Sequence, residues 1–265
     1  MPVRAFLLAL LTLVSGGWVG DALKGDELWA DWLPEGLNPW WARLAAVLLF
    51  LLSAWGLFLR RRELMSVGAL SQERPEPRRA VVLSLSPPNP PPELEDGRAT
   101  RVGTLPLTGV LDRDVRALTD AGMRWSWQQL LRALEPHRGM LEHVYLLGSA
   151  DAAGSPGTYR HLDAAEGLIR LYFPDAHVMR APAPVSFEDV RALMKAMERA
   201  IRTLTVDAGL REEDVTIDVT GGYKPTSIAA AVMTLNCNAT FQYVHTGGNH
   251  EVWEYDLLHR ASSQV

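Results

Sequence analysis

The chain of 265 residues has one cysteine, Cys237, and no surplus of basic residues. A lone cysteine excludes an internal disulfide and any zinc site built from several thiolates. Cys237 lies in an apolar run, where a buried, reduced thiol is the ordinary state. Lys and Arg number 26 against 31 Asp and Glu, a net charge of -5. A protein that grips long nucleic acid through its phosphates carries a basic excess, so any nucleic-acid-like ligand is expected to be small. His177 and His245 have no second His, Ser or Asp at a ligating or catalytic spacing, so no metal, cofactor or catalytic residue is assigned. Both read as structural, although His245, at the carboxyl end of a strand, also has the position to touch a bound base.

Long apolar runs are present, and both lie at the front. Residues 5–19 (AFLLALLTLVSGGWV) carry no charge, and residues 40–59 (WWARLAAVLLFLLSAWGLFL) carry only Arg43. The second run meets the roughly 20 residues that a hydrocarbon core of about 30 Å requires. The first is shorter, and its basic start at Arg4 followed by Ser15, Gly16 and Gly17 also fits a secretory signal peptide. Between the runs, Asp21, Asp26, Glu27, Asp31 and Glu35 face a single Lys24, whereas Arg60, Arg61 and Arg62 follow the second run directly. The positive-inside rule then predicts two transmembrane helices, about 5–20 and 40–59, in the cell membrane, with the N-terminus and everything after residue 60 cytoplasmic. Six of the nine tryptophans (Trp18, Trp29, Trp32, Trp40, Trp41, Trp55) fall in this part, as an interfacial aromatic belt requires. Nothing in the two runs marks a pore, and a basic residue placed like Arg43 snorkels to the interface.

Three regions follow: a transmembrane region at 1–62, a linker at 63–79 and an α/β domain at 80–265. Residues 71–79 (SQERPEPRR) are charged and contain two prolines, which predicts an extended connection. Residues 80–86 (AVVLSLS) predict a buried strand that PPNPPP must end. Glu93, Glu95 and Asp96 read as a solvated loop. Helical patterns around 112–121 and 126–134 precede a second buried strand at 144–149 (VYLLGS), a helix at 161–172 and a third strand at 177–180. Ser186, with Asp189 three residues on, predicts a capped helix whose stripe is Val190, Leu193, Met194, Met197, Ile201 and Leu204. Strands at 215–219, 240–245 and 252–257, with a helix at 225–235 and a turn at 247–249, complete the domain. Strands alternating with helices predict a Rossmann-like fold, a mostly parallel sheet closing in an antiparallel hairpin.

The segment VTIDVTGGYKPTS carries the chemistry. A buried strand ends in Gly221 and Gly222, which let the backbone approach a ligand, and the helix begun near Pro225 turns free N–H groups and its positive end to the same place. Lys224 adds charge, and Thr220, Thr226 and Ser227 add hydroxyls. The pattern is neither a P-loop nor a GxGxxG turn. It predicts a phosphate site, the other reading being a plain turn with a solvated lysine. Arg132 and His137 match Arg-x4-His, but the match falls inside the domain and contains Pro136, so it is not read as catalytic.

The spacing Asp218-x-Thr220-x-x-x-Lys224, after a late strand of such a domain, resembles the signature of CARF domains, the CRISPR-associated Rossmann-fold sensors. The likeness extends over about residues 80–258. It implies a pocket across a two-fold homodimer that binds a cyclic oligoadenylate made by type III CRISPR complexes, with tetra-adenylate favoured over hexa-adenylate. The residues implied are Ser86, Asn89, Gly148, Ser149, Asp218, Thr220, Gly221, Gly222, Tyr223 and Lys224, among which Lys224, Thr220 and the Gly221–Gly222 backbone hold phosphate and ribose. Relatives commonly carry a nuclease domain after the sensor; here about ten residues follow the last strand, so the membrane segment is expected in the effector's place. The expectation is a homo-oligomeric membrane effector of antiviral defence that permeabilises or depolarises the membrane. A tethered ring nuclease that degrades the messenger, and an anchored nucleotide-binding module outside CRISPR defence, stay open.

Overall fold

The computed structural model of the chain describes residue 12, residues 39–59 and residues 71–256 apart from 153, 236 and 246–249. Two compact units result, Met1–Gly68 with His259–Val265, and Ala69–Leu258. In the first, Pro39–Leu59 is one helix of 21 residues (α1), which covers the second apolar run. Side chains in α1 are described only between residues 44 and 56, and among the described residues no helix is long and apolar enough to cross a membrane. The segment expected as a first helix lies outside the described residues except for Thr12, as do the Arg60–Arg62 cluster and the turn at 247–249.

The second unit is an α/β fold built on a seven-stranded sheet. Its strands are β1 (Ser71–Glu73), β2 (Ala80–Ser84), β6 (His143–Leu147), β7 (His177–Arg180), β8 (Val215–Asp218), β9 (Thr240–Val244) and β10 (Val252–Asp256), in the order β1-β10-β9-β8-β2-β6-β7. The five strands from β9 to β7 are parallel. β10 runs antiparallel to β9, and β1 antiparallel to β10. The architecture is the Rossmann-like one that the alternation of strands and helices predicted.

Parallel strands are covered on both faces, and the sequence supplies apolar residues for both. In β2, Val81 and Leu83 face one core while Ala80 and Val82 face the other; in β6, Val144 and Leu146 divide from Tyr145 and Leu147 in the same way. The first core lies beneath α2 (Leu111–Asp120), α3 (Gln128–Leu134) and α4 (Leu162–Tyr172), the second beneath α5 (Val190–Arg202) and α6 (Lys224–Thr234). The stripe read for α5 is in place, with Leu193, Met197, Ile201 and Leu204 buried. Its cap differs. Asp189, not Ser186, is the N-cap, its carboxylate accepting from the amides of Arg191 and Ala192, because the helix starts one turn later than the Ser-x-x-Asp spacing suggested.

Two stretches read as irregular are strands. Ser71–Glu73, inside the expected linker, forms the sheet edge on β10, and three residues of backbone pairing suffice despite its charge. The acidic stretch read as a loop is half of a small sheet, β3 (Pro92–Glu95), β4 (Arg98–Val102) and β5 (Leu105–Pro106). Asp96 and Gly97 turn β3 into β4 with φ of 49° and 72°, the geometry for which an Asp-Gly pair is suited. Glu93 pairs across the hairpin with Arg101, so the charges that suggested a loop sit on the solvent side of strands.

Candidate functional site

β8 adjoins β2, and β2 adjoins β6. The loops leaving the carboxyl ends of these three adjacent parallel strands carry Asp218–Lys224, Ser86 with Asn89, and Gly148 with Ser149. From the central strand β2 the chain builds outward to β6 and β7 and later returns to β8 on the other side, so these loops flank the point where strand order reverses. Such points are where open α/β sheets bind ligands. The fold therefore brings the candidate residues of three separate sequence regions to one edge of the sheet.

The motif turn is held from beneath by Asp218, which is 1% exposed. Its carboxylate accepts from the Thr220 amide at 3.0 Å, from the Thr220 hydroxyl at 3.0 Å and from the Gln242 side-chain amide at 3.3 Å. Burial pushes the Asp218 pKa up to about 7, against the lowering effect of those three donors. The Thr220 hydroxyl accepts from the Val244 amide at 2.8 Å, so its one hydrogen is directed at Asp218. Both Thr220 donors are thus engaged inside the protein, and Thr220 does not present its hydroxyl hydrogen to a ligand as its place in the motif suggested.

The donors that remain lie one turn further on. Tyr223 is the N-cap of α6 without a side-chain cap, and the amides of Gly221, Tyr223 and Lys224 have no acceptor among the described residues. Tyr223 and Lys224 are exposed, and Lys224 forms no ion pair among the described residues. Unpaired amides, the positive end of an eleven-residue helix and a lysine thus lie within four residues of the chain, the combination that favours an anion. Space requires glycine at both positions: neither has a positive φ, Gly221 packs on the end of β2, and Gly222 packs on the Thr226 side chain.

The neighbouring loops are equally built. The Ser86 carbonyl accepts from the Trp127 indole at 2.9 Å. Asn89 is exposed, its amide donating to the Ser126 hydroxyl and its carbonyl accepting from the Ser126 amide. Gly148 lies against the Tyr159 backbone. The buried Ser149 accepts from the Thr158 amide at 2.9 Å and donates its own amide to the Thr158 hydroxyl at 2.7 Å, which closes the loop after β6. Ser86, Asp218, Thr220 and Gly221 line a cavity of about 10 Å³ with Ser84, Gln129 and Leu130, room for about one water. Ser149 and Tyr223 border a separate depression of about 190 Å³ with Asp151, Ser186 and Glu188. Asn89, Gly148, Gly222 and Lys224 line neither.

Two residues that hold this site were not singled out from the sequence as part of it. Gln242, wholly buried in β9, donates to Asp218 and to the Ala133 carbonyl at 2.7 Å. His137, also wholly buried, meets the Gln242 oxygen at 2.7 Å through Nε2 and accepts the Arg78 amide at 3.0 Å through Nδ1. Burial keeps the imidazole below its ordinary pKa. The signal was a glutamine in the middle of the apolar run TFQYV, since a polar group there requires partners. Arg132 of the Arg-x4-His match pairs with Asp112, while His137 turns into the core.

No model of a known protein family matches the chain. A protein described as uncharacterized from Aquifex aeolicus (strain VF5) is 28% identical over 124 residues, 47% of this chain and 39% of that protein. The match thus spans well under half the length of the relative. Among solved structures, Enterococcus italicus Csm6 bound to cyclic hexa-2'-fluoro-hexa-dAMP is similar with a TM-score of 0.39 and 9% identity, over 65% of this chain and 35% of that one.

Proposed function

We propose that the α/β domain is a sensor for a cyclic oligoadenylate and that the N-terminal segment is the membrane effector it controls. The observation that supports this reading is the adjacency of three parallel strand ends, beside which lie the free amides of Gly221, Tyr223 and Lys224 and the Lys224 ammonium. These suit an anionic phosphodiester, and the exposed Tyr223 ring offers a stacking face for a base. Ser86, Asn89, Gly148 and Ser149 shape the flanks, and Asp218 and Thr220 fix the turn from below.

A second copy of the chain completes the pocket in this reading. Ile228 and Val232 on α6 and Leu235 at its C-cap are exposed apolar residues, with the exposed Tyr223 at its N-cap, and a homodimer across that helix would bring two motif turns to one cyclic ligand. The membrane half rests on the apolar run of α1, on the exposure of Leu51, Leu52 and Trp55 in it, and on the basic triplet that follows at residues 60–62. Ligand binding shifts the arrangement of the two copies, and residues 63–79 pass that shift to the helices. The effect follows only from a difference in affinity between the two arrangements.

The test is a titration of the full chain in nanodiscs with cyclic tetra-adenylate and cyclic hexa-adenylate, followed by ion flux from liposomes. Binding is expected, with the four-membered ring the tighter, and flux is expected only with ligand. Absence of binding to either ring overturns the sensor reading. Binding without flux overturns the effector half. Linear oligoadenylate products would assign the site to a ring nuclease instead.

A further inference from the structure

The buried hydrogen bonds beneath the motif turn have a direction fixed at both ends. The Arg78 amide can only donate, so His137 Nδ1 is an acceptor and the ring proton sits on Nε2. Nε2–H therefore donates to the Gln242 oxygen, and the Gln242 amide nitrogen donates to the Ala133 carbonyl and to Asp218. Flipping the Gln242 amide would set its NH2 against the His137 N–H and its oxygen against the Asp218 carboxylate and the Ala133 carbonyl. Moving the ring proton would set Nδ1–H against the Arg78 N–H. With Asp218 ionised, one orientation satisfies every group from Arg78 to Asp218, and His137 and Gln242 are wholly buried, so a partner lost between them is costly.

Each end of this chain lies at a meaningful place. At one end Asp218 holds both donors of Thr220. At the other, Arg78 lies in the segment by which the chain enters the domain, between β1 and β2, where its guanidinium pairs with the buried Glu254 at 2.7 Å and the Glu76 amide donates to the same carboxylate at 2.8 Å. We propose that His137 and Gln242 are positioning residues that couple the motif turn at Asp218–Thr220 to the entry segment at Glu76–Arg78. A ligand that draws on Thr220 must take it from Asp218. The carboxylate, left with the Thr220 amide and Gln242 as its donors, then changes its hold on the one side chain that fixes the His137 ring, and the Arg78 amide senses it. The coupling itself stands without a ligand; only its use in signalling rests on the sensor reading above.

The experiment is hydrogen exchange of the full chain in nanodiscs, read at the peptide spanning residues 74–80, for wild type, Thr220→Val, Gln242→Leu and the double variant. Thr220→Val removes the hydroxyl donor to Asp218 and the acceptor of the Val244 amide while keeping side-chain shape, and Thr220→Ser, which keeps both bonds, is the control. It is expected to speed exchange at residues 74–80 by about tenfold, with no change at a control peptide in α4. In the Gln242→Leu background the same substitution is expected to add nothing at residues 74–80. Equal acceleration in both backgrounds, or none in wild type, overturns the proposal. If Gln242→Leu does not fold, the ring nitrogens decide: 15N shifts of His137 in the wild-type chain are expected to show the Nε2–H tautomer and to move on Thr220→Val. An Nδ1–H tautomer or unmoved shifts would overturn it. Cyclic tetra-adenylate and cyclic hexa-adenylate added to wild type test signalling separately, since absence of binding to both removes the sensor reading and leaves the coupling result intact.

Discussion

Gly221 stands against the end of the central strand so closely that a Cβ placed on it would lie 2.0 Å from the Ser84 carbonyl oxygen. The motif turn is therefore wedged against the loop that follows β2, and the spacing of the two loops depends on one missing side chain.

Gly221→Ala must displace backbone rather than a flexible side-chain tip, since the next atoms met are the Ser86 nitrogen and the Ser84 carbonyl carbon. A loss of about 1–3 kcal/mol is expected, the usual range for overpacking. Gly139→Ala, where no atom lies within 4 Å and φ is negative, is expected to leave stability within about 0.5 kcal/mol. Urea denaturation of both variants makes the comparison, and equal effects would show that the turn yields without cost.

Asp218 gives a pH signature. Its ordinary value is 3.8 and burial raises it to about 7 in the fold. Between those values the folded state holds a proton that the unfolded chain has released, so this group's contribution falls as pH rises from about 4 to about 7. His137 acts in the opposite sense: its folded pKa is lowered by burial, so stability is lost as pH falls below the ordinary imidazole value of 6.5. Asp218→Asn removes only the first term. The stability of the variant relative to wild type is expected to improve between pH 4.5 and pH 8, by on the order of a few kcal/mol. Denaturation curves at those two pH values that leave the difference constant would contradict the assignment.

Much of this architecture was legible because parallel strands are uniformly apolar. AVVLSLS, VYLLGS and VTIDV announced three central strands, and the heptad-like stripe of α5 announced its buried face. β1 escaped because pairing at an edge asks little of side chains, and SQE has no apolar signal. The hairpin of β3 and β4 escaped because Glu93 and Glu95 sit on solvent-facing positions, although Asp96-Gly97 marked its turn. At the site, position in sequence placed the candidate residues at adjacent strand ends but did not carry their hydrogen bonds. A threonine in a phosphate-like motif suggests a ligand donor, and only the distances from Thr220 to Asp218 and Val244 show that its hydrogens are spent internally. Gln242 and His137 act across more than 100 residues of sequence, a relation that no local pattern carries.

Asp114 in α2 is another buried carboxylate, and its role is structural. It accepts from the Thr108 amide at 2.9 Å, the Thr108 hydroxyl at 2.7 Å, the Gly109 amide at 3.1 Å and the Tyr172 hydroxyl at 2.6 Å. Burial and the Asp114 carboxylate push the Tyr172 pKa upward, which keeps that hydroxyl a donor. Asp114→Ala orphans four donors and is expected to cost on the order of 3 kcal/mol or more, whereas Tyr172→Phe removes one of four and costs about 1 kcal/mol. Thermal unfolding of the two variants distinguishes this from a solvated cap, for which both losses would be small and similar.

Lys224 separates binding from folding. It is exposed at the first turn of α6 and forms no ion pair among the described residues, so Lys224→Ala removes charge without orphaning a partner. A cation at the first turn opposes the helix dipole, so the substitution is expected to leave stability unchanged or raise it by a few tenths of a kcal/mol. If the free amides of Gly221, Tyr223 and Lys224 hold a phosphate there, the ammonium adds a charge-assisted contact, and its loss is expected to weaken cyclic oligoadenylate binding by at least about tenfold. Lys224→Arg keeps the charge and is expected to retain part of the affinity, with the same decline as salt is raised. Calorimetric titration of the three proteins at two salt concentrations gives the answer. Binding that ignores both substitutions would place the phosphates away from Lys224.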